Sequence, residues 1–152
     1  MIKRTVARLI KQHRTNNPFE IASQKNIVVL FEQLGQTFGY FHTFNRIRTI
    51  HINCDLDKHW QRFVCAHELG HSILHKNVNT PFLRKNTLFS VDRIEREANG
   101  FAVCLLTYEE KISYGETIES FYSRSGVPNE MIEKGVFDRA LIACEQKASY
   151  MD

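Results

Sequence analysis

Apolar side chains repeat at helical spacing near the start of the chain. The repeat predicts an amphipathic helix over residues 2–13 and consists of Ile2, Val6, Leu9 and Ile10. Asn17 followed by Pro18 is typical of a helix N-cap and first turn, because proline needs no partner for its nitrogen there. This pair predicts a second, short helix that ends near Gln24.

The pattern changes to β-branched and aromatic residues in the next part of the chain. Three segments of this kind predict strands: Ile27 to Phe31, Thr37 to Phe44 and Ile47 to Ile52. Only Asn45 and Arg46 separate the last two segments, so we expect an antiparallel hairpin there.

Helical spacing returns after the hairpin and continues along the rest of the chain. The segment Asp55-Leu56-Asp57 predicts the start of a long helix that ends near Lys76, followed by a loop containing Pro81 and a helix over about 91–106. Shorter helical segments are expected near 109–113, 117–124 and 128–147. We therefore predict an α+β fold, in which a small antiparallel sheet with a hairpin packs on the two central helices.

Length and composition fit a single domain in a reducing compartment. The chain has 152 residues, of which 43% are hydrophobic and 24% charged, so we expect residues 1–152 to form one domain. No apolar run reaches the ~20 residues of a membrane helix, and the N-terminus does not resemble an export signal. The four cysteines are scattered without CxxC spacing, which favours a cytoplasmic location.

The charge balance argues against nucleic acid as a partner. The net charge is +3, whereas phosphate-binding proteins usually concentrate far more positive charge. The distribution is uneven, because residues 1–76 carry 11 basic and 5 acidic side chains and residues 77–152 carry 9 and 12. The acidic half is therefore suited to a basic protein partner.

Residues 67–71 read His-Glu-Leu-Gly-His, an HExxH pattern, inside the predicted long helix. Residues four apart lie about 40° around and ~6 Å along a helix, so His67 and His71 face one side and can bind one metal ion. Glu68 lies about 100° further round, where it can reach a water beside the metal without ligating the ion. The pattern predicts two metal ligands and a general base.

The helix that carries this pattern is apolar on nearly all sides. Buried imidazoles need partners for their ring nitrogens, and one metal ion supplies a partner to both. Gly70 costs about 1 kcal/mol relative to alanine inside a helix, so we expect a neighbour to approach the backbone closely there. His75 lies ~12 Å along the axis from His67, too far to share the ion, and we interpret it as a packing or supporting residue.

A hydrolytic zinc site has three protein ligands and one open position for water. The next predicted helix offers Glu95 and Glu97, which flank its apolar stripe on opposite sides. Asn99 follows Glu95 by one turn and can support a ligand, whereas Phe101 follows Glu97 and offers no hydrogen bond. This comparison favours Glu95, with Glu97 as the alternative and Zn²⁺, Mn²⁺, Fe²⁺ or Co²⁺ as the possible ions.

The segments 63–75 and 95–102 together resemble the ImmA/IrrE metallopeptidases, which are gluzincin-like zinc enzymes of bacteria and phages. The likeness covers about residues 18–107, the expected catalytic core, and leaves a helical annex over about residues 108–152. The resemblance implies a cytoplasmic zinc endopeptidase that cleaves a helix-turn-helix repressor, often encoded beside it, and so derepresses a mobile element or a stress response. In its site Zn²⁺ would be held by His67, His71 and Glu95, with Glu68 as catalytic base and Asn99 supporting the ligands.

Enzymes of this type usually add a donor for the developing oxyanion. No histidine follows His75, so the donor would be a tyrosine, an arginine or a backbone N–H, and Tyr108 and Tyr114 are the candidates.

Two other functions remain open. Residues 117–141 have the helix, turn, helix pattern of DNA-binding modules, but Glu130, Glu133 and Asp138 on the second helix suit phosphate poorly. The other alternative is an antirepressor that binds the repressor without cutting it and uses zinc structurally. Glu68 argues against that alternative, because a structural site needs no base.

Overall fold

The computed structural model describes residues 1–78, 80, 82–108 and 110–135. Its helices and strands are α1 (Ile2–His13), α2 (Pro18–Gln24), β1 (Ile27–Glu32), β2 (Gly39–Phe44), β3 (Ile47–Asn53), α3 (Lys58–Leu74), α4 (Lys85–Leu88), α5 (Arg93–Thr107), α6 (Ile118–Arg124) and α7 (Asn129–Lys134). The predicted α+β class is confirmed. No helix in the described ranges is long and apolar enough to cross a bilayer.

The two helix starts predicted from capping residues are present. The Asn17 side chain accepts a hydrogen bond from the backbone N–H of Phe19 at 2.9 Å, and Pro18 occupies the first turn of α2. The Asp57 carboxylate accepts from the backbone N–H of Trp60 at 2.9 Å and begins α3. Each cap satisfies a donor that the helix leaves unpaired, which fixes where the helix begins.

The three strands form one mixed sheet in the order β1-β3-β2. β2 and β3 form the predicted antiparallel hairpin, and Asn45 and Arg46 turn the chain with φ of 47° and 66°. β1 instead pairs with β3 in parallel. The connection after β1 reverses the chain, so β2 runs opposite to β1 and one strand position away from it. β3 follows the hairpin turn and fills the position between them.

Three details of the helical regions differ from the sequence expectation. The loop after α3 contains α4, a single turn that periodicity does not reveal. Residues 110–113 are not helical, although 109–113 was expected to be. α7 ends at Lys134 because Gly135 adopts the left-handed conformation, with φ 59°, and the remainder of the expected segment 128–147 lies outside the described residues.

Helix α3 lies between the sheet and α5, and α1 packs on the same α5. On the sheet side, Gly39 lies so close to α3 that a Cβ atom would be 2.6 Å from Cγ1 of Val64. On the other side, a Cβ atom at Gly70 would be 2.9 Å from Cδ1 of Phe101. The expected close approach at Gly70 is therefore the contact between α3 and α5, which sets the spacing of the two helices that carry the candidate site.

We expect Gly70→Ala to destabilise the protein. Overpacking a core costs roughly 1–3 kcal/mol, and the helix propensity of alanine returns about 1 kcal/mol, so the net loss should reach about 2 kcal/mol. Urea unfolding with chelator present measures this loss. The same substitution in a Phe101→Leu background should cost less, and an unchanged or higher unfolding free energy for Gly70→Ala would contradict the proposed contact.

Candidate metal centre

His67, His71 and Glu95 bring three ligand-type atoms together, all within 4.8 Å of one another and all buried. His67 Nε2 lies 3.1 Å from His71 Nε2 and 3.1 Å from Oε2 of Glu95. His71 Nε2 lies 3.3 Å from Oε1 of Glu95. The helical spacing on α3 supplies the two histidines, and the first turn of α5 supplies the carboxylate.

The hydrogen bonds around His67 determine which ring nitrogen faces this cluster as an acceptor. Asn99 donates from Nδ2 to the backbone oxygen of Leu88 at 2.9 Å, so its Oδ1 is the atom facing His67. His67 therefore donates from Nδ1 to Asn99 Oδ1, at 2.8 Å, and in the neutral ring Nε2 carries a lone pair. This lone pair points toward the nitrogen of His71 and the carboxylate of Glu95.

Two imidazole nitrogens and a carboxylate oxygen that converge on one point repel one another unless a proton or a cation lies between them. A divalent ion satisfies all three at once, and two histidines with one glutamate are a known catalytic zinc donor set. The residues therefore fit a metal ion of this kind. Asn99, one turn after Glu95, contacts the first histidine of the cluster, where it can support that ligand.

Glu95, and not Glu97, faces the histidine pair. Burial raises the pKa of Glu95, but when protons on His67 and His71 take the place of a cation, their hydrogen bonds to the carboxylate outweigh this effect and hold the pKa at about 2. Glu97 instead lies 3.3 Å from His75 Nε2 and accepts a hydrogen bond from Nε of Arg93 at 2.6 Å. The geometry thus favours the first of the two alternatives for the third ligand.

Glu68 is 1% exposed and lies beside the ligand cluster on α3. Its Oε2 has no hydrogen-bond partner among the described residues, an expensive state for a buried carboxylate. Burial raises the pKa of Glu68, His71 lowers it and the charge of Glu95 raises it, and together these effects bring the pKa to about 7. A nearby cation would favour the ionised form, so this side chain is suited to accept a proton beside a metal ion.

A cleft of about 500 Å³ reaches Glu95 from the surface, and its lining includes Thr87, Ser90, Asp92 and Arg93. Ser90 and Asp92 of this lining belong to the loop between α4 and α5. The cleft gives a substrate segment a route toward the ligand cluster.

The structure does not bring the two candidate tyrosines to the cluster. Tyr108 caps the far end of α5, thirteen residues or about 20 Å along the axis from Glu95. Tyr114 is fully exposed in the segment before α6. The expectation that they donate to an oxyanion is therefore corrected for both. Tyr108 lies at the opposite end of α5 from Glu95, and the Tyr114 side chain lies in solvent, away from the buried cluster.

One relationship that the sequence analysis did not predict links the second histidine to α5. His71 Nδ1 lies 2.9 Å from His75 Nδ1, and His75 in turn contacts Glu97. The four-residue spacing from His71 to His75 could have indicated the first contact, since such residues are neighbours on a helix. The second contact needs the packing of α5 on α3, which spacing does not show.

An HExxH helix that meets a glutamate from a second helix defines a metallopeptidase of the gluzincin type. Comparisons with known proteins agree. The family model described as the IrrE N-terminal-like domain of the M78 peptidases matches residues 22–134. Uncharacterized immunity region protein 2 of Bacillus phage phi105 is 43% identical over 136 residues, which cover 86% of each chain.

Metallopeptidase ImmA of Bacillus subtilis (strain 168) is 37% identical over 114 residues, which cover 74% of this chain and 66% of that relative. No solved structure matches. The chain belongs to the IrrE N-terminal-like family of M78 peptidases, and it is a metallopeptidase.

We expect Glu95→Gln to weaken Zn²⁺ binding by at least about 100-fold, because it removes the charged member of a three-ligand site. Competition with a chromophoric chelator measures the dissociation constant. Glu119→Gln makes the same chemical change on an exposed face of α6 and should leave the affinity unchanged. If Glu95→Gln binds Zn²⁺ with wild-type affinity, Glu95 is not the third ligand and Glu97 takes its place.

Proposed function

We propose that this protein is a zinc-dependent endopeptidase that acts in the cytoplasm on a helix-turn-helix repressor encoded beside it. Cleavage of the repressor derepresses a mobile element or a stress response. The observation that carries the proposal is the buried carboxylate oxygen of Glu68, which has no partner in the described part of the chain and lies beside the cluster of His67, His71 and Glu95. A structural metal site has no use for a base in that position.

In this mechanism His67, His71 and Glu95 would hold the metal, and Asn99 would orient the first histidine through its hydrogen bond. When bound there, Zn²⁺ would supply Lewis acidity toward the scissile carbonyl and would lower the pKa of water. Glu68 takes a proton from the attacking water and hands it to the nitrogen of the leaving amine. Its burial keeps this proton from exchanging freely with bulk solvent, which favours delivery to the amine.

The names of the relatives support a substrate of the repressor class. One is an immunity region protein of a phage and another is a metallopeptidase. An immunity region protein and a metallopeptidase among the relatives are consistent with a role that involves a repressor. The family resemblance of the HExxH and Glu95–Asn99 segments points to the same substrate class.

The edge of β2 offers a place for an extended substrate segment. Leu83 already pairs with the start of this strand, since its N–H donates to the backbone oxygen of Gly39 at 2.8 Å. The start of β2 lies against α3, the helix that carries the two histidines: Phe38, just before the strand, contacts Trp60, and Gly39 contacts Val64 one turn further on. We propose that substrate adds as a strand along this edge beyond Leu83, an established mode of peptide binding.

The annex, residues 108–152 of the proposed single domain, contributes a docking surface rather than a DNA-reading one. Met131 and Ile132 are buried and turn Glu130 and Glu133 outward on α7. A six-residue helix with two exposed acidic side chains is a poor match to phosphate. The same surface is suited to the basic face of a repressor. Asp138, the third acidic residue of the sequence analysis, lies outside the described residues.

We expect Glu68→Gln to abolish repressor cleavage while Zn²⁺ binding persists. General acid–base catalysis contributes about 10²- to 10⁴-fold, and the amide can neither take nor deliver the proton. Purified protein with Zn²⁺ is incubated with the neighbouring repressor, and fragments are quantified by mass spectrometry. Glu119→Gln, with the same chemical change far from the site, should cut at the wild-type rate.

The same experiment tests the antirepressor alternative. A repressor released from its operator uncut, by the wild type and by Glu68→Gln equally, would exclude the protease and establish a binding function with structural zinc.

We expect the double substitution Glu130→Lys/Glu133→Lys to weaken binding of the repressor by roughly 1 kcal/mol, about fivefold in Kd. The cause is the loss of two favourable charges and the gain of two unfavourable ones at the rim of the contact. Binding is measured in the Glu68→Gln background, which prevents cleavage. Glu119→Lys on α6 serves as the matched reversal, and equal affinity of both variants and the parent would contradict docking at α7.

A further inference from the structure

The contacts of His75 and Glu97 determine where the protons lie on His71. His71 Nδ1 and His75 Nδ1 are 2.9 Å apart, so one proton, and only one, lies between these two nitrogens. If His75 carries it, the neutral ring leaves a lone pair on Nε2, which would face the Glu97 carboxylate at 3.3 Å. If His71 carries it, His75 Nε2–H donates to Glu97, and every contact is a hydrogen bond.

The second arrangement is therefore the stable one. Arg93 donates from Nε to Oε1 of Glu97 at 2.6 Å, while His75 contacts the other oxygen, Oε2, of the same carboxylate. Arg93 thus keeps Glu97 charged and oriented, and Glu97 keeps the proton of His75 on Nε2. His71 then donates from Nδ1 and presents the lone pair of Nε2 toward His67 and Glu95.

We propose that Glu97 and His75 are positioning residues that hold His71 in the tautomer needed to bind the metal. The inference rests on the proposed function only in requiring that a metal ion binds at the cluster. Asn99 performs the same task for His67 through a single hydrogen bond. The path from Arg93 through Glu97 and His75 orients His71 through three hydrogen bonds.

The two supports differ because their positions differ. Asn99 is fully buried opposite His67, where a short amide suffices. His71 lies near the end of α3, and the residue one turn later is His75, the C-cap of the helix. An imidazole there reaches from the nitrogen of His71 to a carboxylate on α5, so the two helices are joined beside the site by a hydrogen-bonded path as well as by packing.

The test uses the zinc affinity of the full chain, measured by competition with a chelator and without any substrate. His75→Leu removes the acceptor for His71 Nδ1–H, and we expect it to weaken Zn²⁺ binding by about 10- to 100-fold. His75→Asn places an amide oxygen near the position of the lost nitrogen and should restore several-fold of the affinity. Glu97→Gln should also bind more weakly than the wild type, because one amide oxygen cannot serve both Arg93 and His75.

Controls separate positioning from folding. Glu119→Gln should bind zinc as the wild type does, and circular dichroism of the metal-free variants should show that each is folded at the temperature of the zinc titration. If His75→Leu does not fold, the comparison of Glu97→Gln with Glu119→Gln decides. The visible spectrum of bound Co²⁺ should change in His75→Leu and return toward the wild type in His75→Asn.

Wild-type zinc affinity in both His75→Leu and Glu97→Gln would overturn the inference. Equal weakening in His75→Leu and His75→Asn would also overturn it, since a hydrogen-bond acceptor would then make no difference. Tight zinc binding without repressor cleavage would sink the proposed protease and leave this inference intact, so the two failures are distinguishable.

Discussion

The approach of α3 to α5 at Gly70 is the contact on which the site depends. A residue without a side chain lets the Phe101 ring lie against the helix backbone, and this sets how far apart the two helices are. At the next residue of α3 and at the start of α5, the same spacing brings His71 and Glu95 within 3.3 Å. A wider separation would leave three buried polar groups that neither share a metal ion nor reach water.

The hydrogen bonds around the cluster all run in one direction, from the histidines outward. Each histidine nitrogen that faces away from the cluster donates to an acceptor, Asn99 for His67 and His75 for His71, so the nitrogens that face inward are acceptors. Glu95 adds a negative charge to the same point. The arrangement is costly for a chain alone and favourable around a cation, so the energy of metal binding and the energy of packing the two helices are coupled.

Much of this could be predicted from the sequence because the deciding spacings are local. Four residues separate His67 from His71 and Glu95 from Asn99, and helical geometry then dictates which side chains share a face. The parallel pairing of β1 depends on which gap β3 fills, and the contact of His75 with Glu97 depends on how α5 packs. Neither leaves a periodic signal. The prediction for Tyr108 failed for a related reason: a residue near a site in sequence can lie at the other end of the same helix.

The central claim is that two histidines and one glutamate hold a catalytic metal with a position left open for water. Anomalous diffraction at the zinc edge from crystals of the zinc-loaded protein tests it most directly. The account predicts one ion with Nε2 of His67, Nε2 of His71 and a Glu95 oxygen at about 2.0–2.2 Å, and a water as the fourth ligand within reach of Glu68. A fourth protein ligand in place of the water, or an ion bound elsewhere on the chain, would contradict it.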